Sequence, residues 1–381
     1  MKRAPVRDIL WLFIVTRLAL VLVTYIAYIL LTAPKYSSTG VNIPALLTTW
    51  NHWDAARYTS IAQYGYKTKY DLAFFPLFPL LTALLAYPFG PNGYLPAATL
   101  ISNAALLGTL FLLYQLAVEV RGEQVARRTL LYLCIFPTAF FFFAPYNESL
   151  FLFFVTAAFL AFRRQRWWLA GLFAMLATLT RSAGLLLGAP FLYEVWASQI
   201  SFTNWSDRLH ALHKCLPIML IPLGLALYCF YCWRISGDPL AFASVQSHWG
   251  RYLDWPWSGL FKQAGEFIWQ PFGSFFEVHD LLDFSATIGF IVLAVLSWRR
   301  LPTSYNLWTT LLILYVLISP SIANIDPLVS NQRFFLEMFP LFIVLAQLSI
   351  ERPHLHQGLQ ILFPMLLATL SILFLMNSWM V

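Results

Sequence analysis

The stretch WNHWDAARY, residues 50–58, is too polar for a membrane span, yet it follows the long apolar run Ile9–Thr32. Read as a helix, it places Trp50, Asp54 and Arg57 on one stripe. A carboxylate, a guanidinium and an indole then share one face, and tryptophan is typical of the membrane interface. The stretch therefore predicts a helix at the membrane surface. A plain interfacial anchor with an Asp–Arg pair is the alternative to a functional helix.

The composition indicates the class of protein. Hydrophobic residues make up 60% of the 381 residues and charged residues 11%, whereas soluble domains carry about 25% charged residues. Long apolar runs such as Leu216–Trp233, Thr309–Ile322 and Leu359–Leu375 exceed the alternating strands of a membrane barrel. The predicted fold class is an all-α polytopic membrane protein. The net charge of +7 is scattered between apolar runs, which excludes a nucleic-acid interface and fits the positive-inside bias.

Basic clusters at the ends of the apolar runs indicate the topology, because cytoplasmic loops carry an excess of Lys and Arg. Lys2 and Arg3 place the N-terminus in the cytoplasm. The clusters at 121–128 and 163–166 face the cytoplasm, as the N-terminus does, only if segment 72–89 does not span; if it spanned, both clusters would face outward. Pro76 and Pro79, three residues apart in that segment, argue against a regular span. We therefore expect about eleven transmembrane helices, with juxtamembrane helices on the outer face.

Residues 1–381 are predicted to form one integral membrane domain. Its outer face would carry the first loop, residues 34–95, with the candidate catalytic helix, and a tryptophan-rich loop, residues 235–280. Polar residues near the outer ends of other spans fall on the same side: Tyr146, Glu148, Arg181 and Arg333. Arginines at span ends are also common as snorkelling caps, which is the alternative interpretation of the two arginines.

Carboxylates and arginines on one membrane face suit an anionic lipid head group, because the guanidinium fork binds phosphate oxygens. Sugar transfer from a lipid phosphate uses this set directly. The phosphate is already a good leaving group, arginine neutralises its growing charge, and the acceptor hydroxyl needs one base. With Asp54 as the only base, direct displacement with inversion follows by analogy with inverting hydrolases. No Asp-x-Asp motif occurs, so no metal ligand and no cofactor are predicted, and metal dependence stays open.

Several motifs in order resemble the class V GPI mannosyltransferase family, including its bacterial members. They are WNHWD with Arg57-Tyr58, AFFPLFPL at 73–80, APYNESLF at 144–151 and TLTRSAG at 178–184, with weaker likeness at WGR, 249–251. The family belongs to the C-type membrane glycosyltransferases, multi-span enzymes that use polyprenyl-phosphate sugars on the outer or lumenal side. Ala183 replaces the family's usual asparagine, and nothing in the sequence identifies the acceptor.

The resemblance implies that Asp54 is the catalytic aspartate and that the donor is polyprenyl-phosphate mannose. The acceptor would be a hydroxyl of a lipid-linked or cell-envelope glycan, reached from the outer face of a bacterial plasma membrane. The expected substrate-binding residues are Trp50, His52, Trp53, Arg57, Tyr146, Glu148, Arg181, Gln246, Trp249 and Arg333. A polytopic transporter or lipid-linked sugar flippase is the alternative, and it would place charges along a central path.

Overall fold

The computed structural model describes residues 5–32, 43–198, 207, 212–269, 273, 275–322 and 326–378. In these ranges the chain is helical, and the β-structure is confined to an isolated antiparallel bridge between Arg251 and Ser321. The all-α fold class is therefore confirmed. The predictions for residues 34–42 of the first outer loop, and for most of the cytoplasmic stretch 198–214, lie outside the described residues.

The α-helices follow one another along the chain with short 3₁₀ turns between several of them. They are α1 (Val6–Ala27), α2 (Ile43–Thr48), α3 (Asp54–Tyr64), α4 (Leu77–Ala86), α5 (Tyr94–Arg121), α6 (Glu123–Ile135), α7 (Glu148–Arg163), α8 (Trp167–Thr180), α9 (Gly188–Ala197), α10 (Leu220–Ser236), α11 (Ala241–Ser244), α12 (Ser258–Trp269), α13 (Phe275–Ser297), α14 (Thr303–Leu317), α15 (Asn331–Phe334), α16 (Phe339–Glu351) and α17 (Pro353–Leu375).

Five helical stretches of the described chain are long and apolar enough to cross a membrane, or six if one bent pair counts as a span. They are Val6–Leu30, Leu77–Arg121, Leu212–Ser236, Val278–Ser297 and Pro353–Leu375, and the bent pair is Asn331–Glu337 with Phe339–Glu351. The polytopic membrane class is thus confirmed. Several other predicted spans are shorter helices: α7 has 16 residues and α8 has 14. These extend about 24 and 21 Å, against a hydrocarbon core of roughly 30 Å. The number of eleven spans stays a prediction.

The chain divides into two compact units that alternate along the sequence. Unit 1 contains Met1–Lys67, Phe78–Phe153 and Leu345–Met380, and unit 2 contains Thr68–Leu77 and Phe154–Val344. The single membrane domain over 1–381 stays a prediction.

Unit 1 has an aromatic core around Trp50, which is 1% exposed. Its ring lies 5.0 Å from Phe143 and 5.6 Å from Phe374, centroid to centroid. Its indole N–H donates to Thr24 Oγ1 at 3.0 Å, so the polar atom of a buried indole is satisfied. In the same unit, a Cβ added at Gly108 would lie 2.7 Å from the ring of Phe153. Only glycine therefore lets α5 approach that ring so closely.

Unit 2 is organised by the close packing of α8 against α10. A Cβ at Gly171 of α8 would lie 2.3 Å from the carbonyl oxygen of Pro217, and one at Gly224 of α10 would lie 2.9 Å from that of Met175. Small residues that let two membrane helices approach backbone to backbone are the usual means of association in lipid.

Helix breaks interrupt two of the apolar runs, and the non-spanning nature of segment 72–89 stays a prediction, because its helix α4 belongs to the apolar helical stretch Leu77–Arg121. α8 ends at Thr180 and Arg181 is extended (φ −154°, ψ 143°), so the apolar run 167–197 is interrupted at Arg181. α4 in segment 72–89 has ten residues, too short to span alone. α6 ends at Ile135, although the apolar sequence continues to residue 144. Pro137 lacks an N–H and disfavours the helical conformation at Phe136 (φ −55°, ψ 145°), so a 3₁₀ turn follows.

Candidate functional site

Asp54 is the first residue of α3, and the residue before it has an unusual backbone. Trp53 adopts φ 55° and ψ −123°, although it is not glycine. Such a conformation costs about 1–3 kcal/mol and is most often kept at functional sites. The turn starts α3 at Asp54, so this residue lies at the positive dipole end of the helix. Asp54 is half-buried, whereas the Trp53 side chain is 43% exposed.

The predicted stripe of Trp50, Asp54 and Arg57 is wrong at Trp50. The helix begins four residues later than the pattern predicts, because the chain turns at Trp53. Trp50 instead points into the core of unit 1, which argues for a structural role. Asp54 and Arg57 both lie on α3, three residues apart, and Arg57 is exposed.

His52 and Tyr146 are brought together in unit 1. The hydroxyl of Tyr146 donates to the carbonyl oxygen of His52 at 3.3 Å, and Ser102 Oγ donates to the carbonyl of Tyr146 at 2.7 Å. Burial lowers the pKa of His52 below its ordinary 6.5, and a backbone hydrogen bond at Leu375 opposes the shift. His52 is therefore a neutral imidazole at pH 7. The hydrogen bond from Tyr146 fixes the backbone at His52, two residues before Asp54.

Glu148 is the first residue of α7 and is fully buried. It follows a compact turn in which the amide of Tyr146 donates to the carbonyl of Ala144 at 2.7 Å. Ser149 Oγ donates to the carbonyl of Phe142 at 3.3 Å. The predicted residues Asp54, His52, Trp53, Arg57, Tyr146 and Glu148 thus all belong to unit 1.

Unit 2 holds a group of arginines, Arg181, Arg251 and Arg333, which we call the arginine cluster. Arg181 Nη1 lies 2.7 Å from Glu337 Oε1, a carboxylate that is 1% exposed. The guanidinium carbons of Arg181 and Arg251 lie 5.0 and 5.4 Å from the ring centroid of Phe334. Arg333 is buried and immediately precedes Phe334 in α15.

Arg251 is held by backbone carbonyls. Its Nη1 donates to Ser319 O at 2.8 Å and its Nη2 to Val329 O at 3.0 Å. Burial lowers the pKa of Arg251, and the positive charges of Arg333 and Arg181 add to this while Tyr315 and Asp326 oppose it. Guanidinium groups stay protonated in proteins. Two of them lie against the ring of Phe334, and the positive charge of Arg333 acts on Arg251. With Glu337 as the ion-paired acid, the cluster has an excess of positive charge that suits a phosphate.

Gln246 and Trp249 lie on a 3₁₀ turn, Val245–Trp249, in unit 2. Gln246 Nε2 donates to Phe242 O at 3.3 Å, and the Trp249 ring lies 6.1 Å from that of Phe74. The carbonyl of Trp249 accepts a hydrogen bond from Ser321 Oγ at 3.2 Å. These contacts hold the turn close to the segment that binds Arg251.

The structure adds residues that the sequence analysis missed. Glu337 pairs with Arg181, and Arg251 belongs to the arginine cluster although only weak motif likeness marks it. His279, Asp283 and Asp326 bring potential metal-ligand atoms within 4.8 Å of one another. The sequence could have revealed some of these residues. Asp283 and Glu337 are acidic residues inside apolar runs, and ionisable groups in membrane segments are functional candidates.

Comparison with known proteins gives a family. The model of the family described as mannosyltransferase (PIG-V) matches residues 6–232, more than half of the chain. GPI alpha-1,6-mannosyltransferase 2 of Rattus norvegicus is 32% identical over 206 residues, which cover 50% of this chain and 42% of the relative. GPI mannosyltransferase 2 of Schizosaccharomyces pombe is 27% identical over 218 residues, covering 53% and 47%. The chain thus matches less than half the length of these curated relatives.

Solved structures share the fold. ArnT from Cupriavidus metallidurans bound to undecaprenyl phosphate gives a TM-score of 0.53 at 14% identity, covering 92% of this chain and 62% of ArnT. Its apo state gives 0.52 at 15% identity, covering 83% and 60%. The expected C-type glycosyltransferase-like fold is confirmed. The chain belongs to the mannosyltransferase (PIG-V) family.

Proposed function

We propose that this protein transfers mannose from a polyprenyl-phosphate donor to a hydroxyl of a lipid-linked or cell-envelope acceptor. The observation that carries the proposal is the arginine cluster, found in a chain of a mannosyltransferase family. The names of similar proteins add support. The curated relatives are GPI mannosyltransferases, and the ArnT structure with the same fold holds undecaprenyl phosphate.

The arginine cluster would bind the donor phosphate. Its side chains are buried or half-buried, so their charges are screened less than surface charges and act strongly on a bound anion. The ion pair with Glu337 fixes the guanidinium of Arg181, and two carbonyls fix that of Arg251. As the bond from the anomeric carbon to the phosphate oxygen breaks, negative charge grows on the phosphate. Guanidinium groups already in position stabilise that charge without reorganisation.

Asp54 would act as the base. The acceptor oxygen forms a bond to the anomeric carbon while its proton passes to Asp54, and the polyprenyl phosphate leaves with the electron pair of the broken bond. One displacement of this kind inverts the anomeric centre. The strained backbone at Trp53 and the N-terminus of α3 support this role, because together they fix the backbone position of Asp54. Buried Glu148 is the second candidate base.

The remaining predicted residues would position the substrates. Tyr146 and His52 hold the backbone before Asp54, and the exposed Trp53 offers an aromatic face to a sugar. In unit 2, Gln246 and Trp249 lie beside the segment that binds Arg251. We place the active site on the outer face of a bacterial plasma membrane with the N-terminus in the cytoplasm, as the basic clusters predict.

The donor class is tested with the full chain reconstituted in lipid vesicles with crude membrane lipids as acceptors. Radiolabelled mannose is supplied either as synthetic polyprenyl-phosphate mannose or as a nucleotide-linked mannose. We expect transfer of label only from the polyprenyl-phosphate donor. Transfer from the nucleotide donor, or movement of intact labelled lipid across the bilayer without transfer, would refute the proposal and favour a different enzyme class or a flippase.

A further inference from the structure

A second cluster of ionisable groups lies in unit 2, apart from the residues assigned to transfer. His279 and Asp283 are one turn apart on α13, so their side chains share a face. Asp326 lies in the connection between α14 and α15. The three side chains are 5%, 0% and 1% exposed, and one potential ligand atom from each lies within 4.8 Å of the other two.

The hydrogen bonds of this cluster are incomplete. Asp283 Oδ2 is fully buried and has no hydrogen-bond partner, while Oδ1 accepts the amide of Gln332 at 3.3 Å. Asp326 Oδ2 lies 3.0 Å from Nδ1 of His279 but lacks hydrogen-bond geometry, and its Oδ1 accepts the amide of Leu328 at 2.9 Å. A buried carboxylate oxygen without a partner is strongly unfavourable, so the arrangement points to a missing positive group.

A protonated imidazole at His279 does not supply enough positive charge to balance the carboxylates around it. Asp283, Asp326 and Asp280, whose Oδ1 lies 3.6 Å from His279 Nδ1, would surround one imidazolium with three buried carboxylates. A divalent cation matches the set better. It would balance the charges of Asp283 and Asp326, and it would take the unpartnered carboxylate oxygen and an imidazole nitrogen as ligands.

We propose that His279, Asp283 and Asp326 bind one divalent metal ion. A mixed set of one imidazole and two carboxylates favours Zn²⁺ or Mn²⁺ over Ca²⁺ or Mg²⁺, which prefer oxygen ligands alone. Three protein ligands leave at least one further position for water.

The metal would fasten the segment that carries Arg333. Asp283 Oδ1 accepts the amide of Gln332, and Asn331 Nδ2 donates to Thr287 Oγ1 at 3.2 Å, one turn further along α13. The ion would add a third link, from α13 to Asp326. This positioning of Arg333 rests on the proposed function, whereas metal binding itself does not.

Metal binding is tested on the full chain in detergent. The protein is stripped with a chelator, incubated with Zn²⁺ or Mn²⁺ and desalted, and its metal content is measured by mass spectrometry. We expect about one ion per chain for the wild type. In Asp283→Asn, which keeps the shape of the side chain, we expect affinity to fall by about 100-fold or more. The matched control is Asp254→Asn, which removes a carboxylate of unit 2 from a surface pair with Lys262 and should retain the ion.

Thermal unfolding provides a second readout that needs neither donor nor acceptor. The metal should raise the melting temperature of the wild type and of Asp254→Asn, but not that of Asp283→Asn or His279→Gln. The proposal is overturned if folded wild type retains neither metal, or if a folded cluster variant binds it as the wild type does. Because no sugar is transferred in either measurement, the outcome is independent of the mannosyltransferase proposal.

Discussion

Replacing Arg181 by methionine removes the partner of a carboxylate that is almost completely buried. Arg181 and Glu337 are 2.7 Å apart, and their side chains are 16% and 1% exposed. Arg181→Met keeps much of the aliphatic volume against Phe334 but leaves Glu337 as a buried charge without its counter-ion. Breaking a buried pair from one side costs about 3–5 kcal/mol. For a chain of this size, the melting temperature should fall by about 5 °C.

The double variant separates the contribution of the ion pair to stability from that of side-chain packing. When both partners are replaced by apolar groups, no unpaired charge remains, so combining Arg181→Met with Glu337→Met should restore stability to within about 1 kcal/mol of the wild type. The guanidinium is still absent, however. Mannose transfer by the double variant should therefore remain reduced by about 10²–10³-fold, the usual effect of losing one preorganised group that stabilises transition-state charge.

The assay is thermal unfolding in detergent, followed by tryptophan fluorescence, on the wild type, both single variants and the double variant. Arg127→Ala is the control. It removes an exposed arginine that pairs with Asp8 and Glu123, and solvent screening limits such a loss to about 0–1 kcal/mol. The reasoning is refuted if Arg181→Met loses no more stability than Arg127→Ala, or if the double variant is no more stable than the single one.

Three further predictions concern stability and titration. Trp50→Ala should cost about 3–5 kcal/mol, because it empties a buried aromatic site; a loss on thermal unfolding similar to that of an exposed tryptophan would contradict this. Gly171→Ala should cost about 1–3 kcal/mol, because its Cβ would lie 2.3 Å from a backbone carbonyl oxygen. The control Gly188→Ala has no atom within 4 Å of the new Cβ and should unfold as the wild type does. Hydrogen bonds from Lys262, which has the largest effect, and from Ser258 and the amide of Trp255 lower the pKa of Asp254 to about 2. Because that pKa is lowered in the folded state, the stabilisation is present above the ordinary value of 3.8 and is lost as the pH falls through about 2. Carboxyl NMR of Lys262→Met should show the midpoint of Asp254 rising toward 3.8, and an unchanged midpoint would rule out Lys262 as the cause.

The fold class was predictable because lipid imposes simple rules on sequence. Continuous apolar runs require helices, and the end of α8 coincides with a charged residue within such a run, Arg181. The exact count of spans was harder. Helices such as α8 are too short to recognise by length alone, and Pro137 ends α6 where hydropathy continues.

The local geometry of the first motif was only partly predictable. Helical spacing placed Trp50 and Asp54 on one face, but periodicity assumes helical backbone at every position. Trp53 adopts a positive φ that non-glycine residues rarely show, so the helix begins at Asp54 and Trp50 turns into the core. No residue pattern in a single sequence reports such a turn.

The partners of the candidate site residues come from tertiary structure. Arg181 and Glu337 are distant in sequence, and so are His279 and Asp326, so spacing rules valid within one helix cannot pair them. The pair His279 and Asp283, four residues apart in an apolar run, was visible in the sequence. Its interpretation as part of a metal site required the position of Asp326.

The most direct test of the central claim is mannose transfer by Asp54→Asn in the vesicle assay with the polyprenyl-phosphate donor. This variant keeps the shape of the side chain and removes the base, so we expect transfer to fall by about 10²–10⁴-fold. Asp8→Asn, which alters an exposed carboxylate of unit 1, should transfer as the wild type does. If Asp54→Asn transfers mannose at the wild-type rate, Asp54 is not the base, α3 is an interfacial anchor, and Glu148→Gln becomes the variant that should abolish transfer.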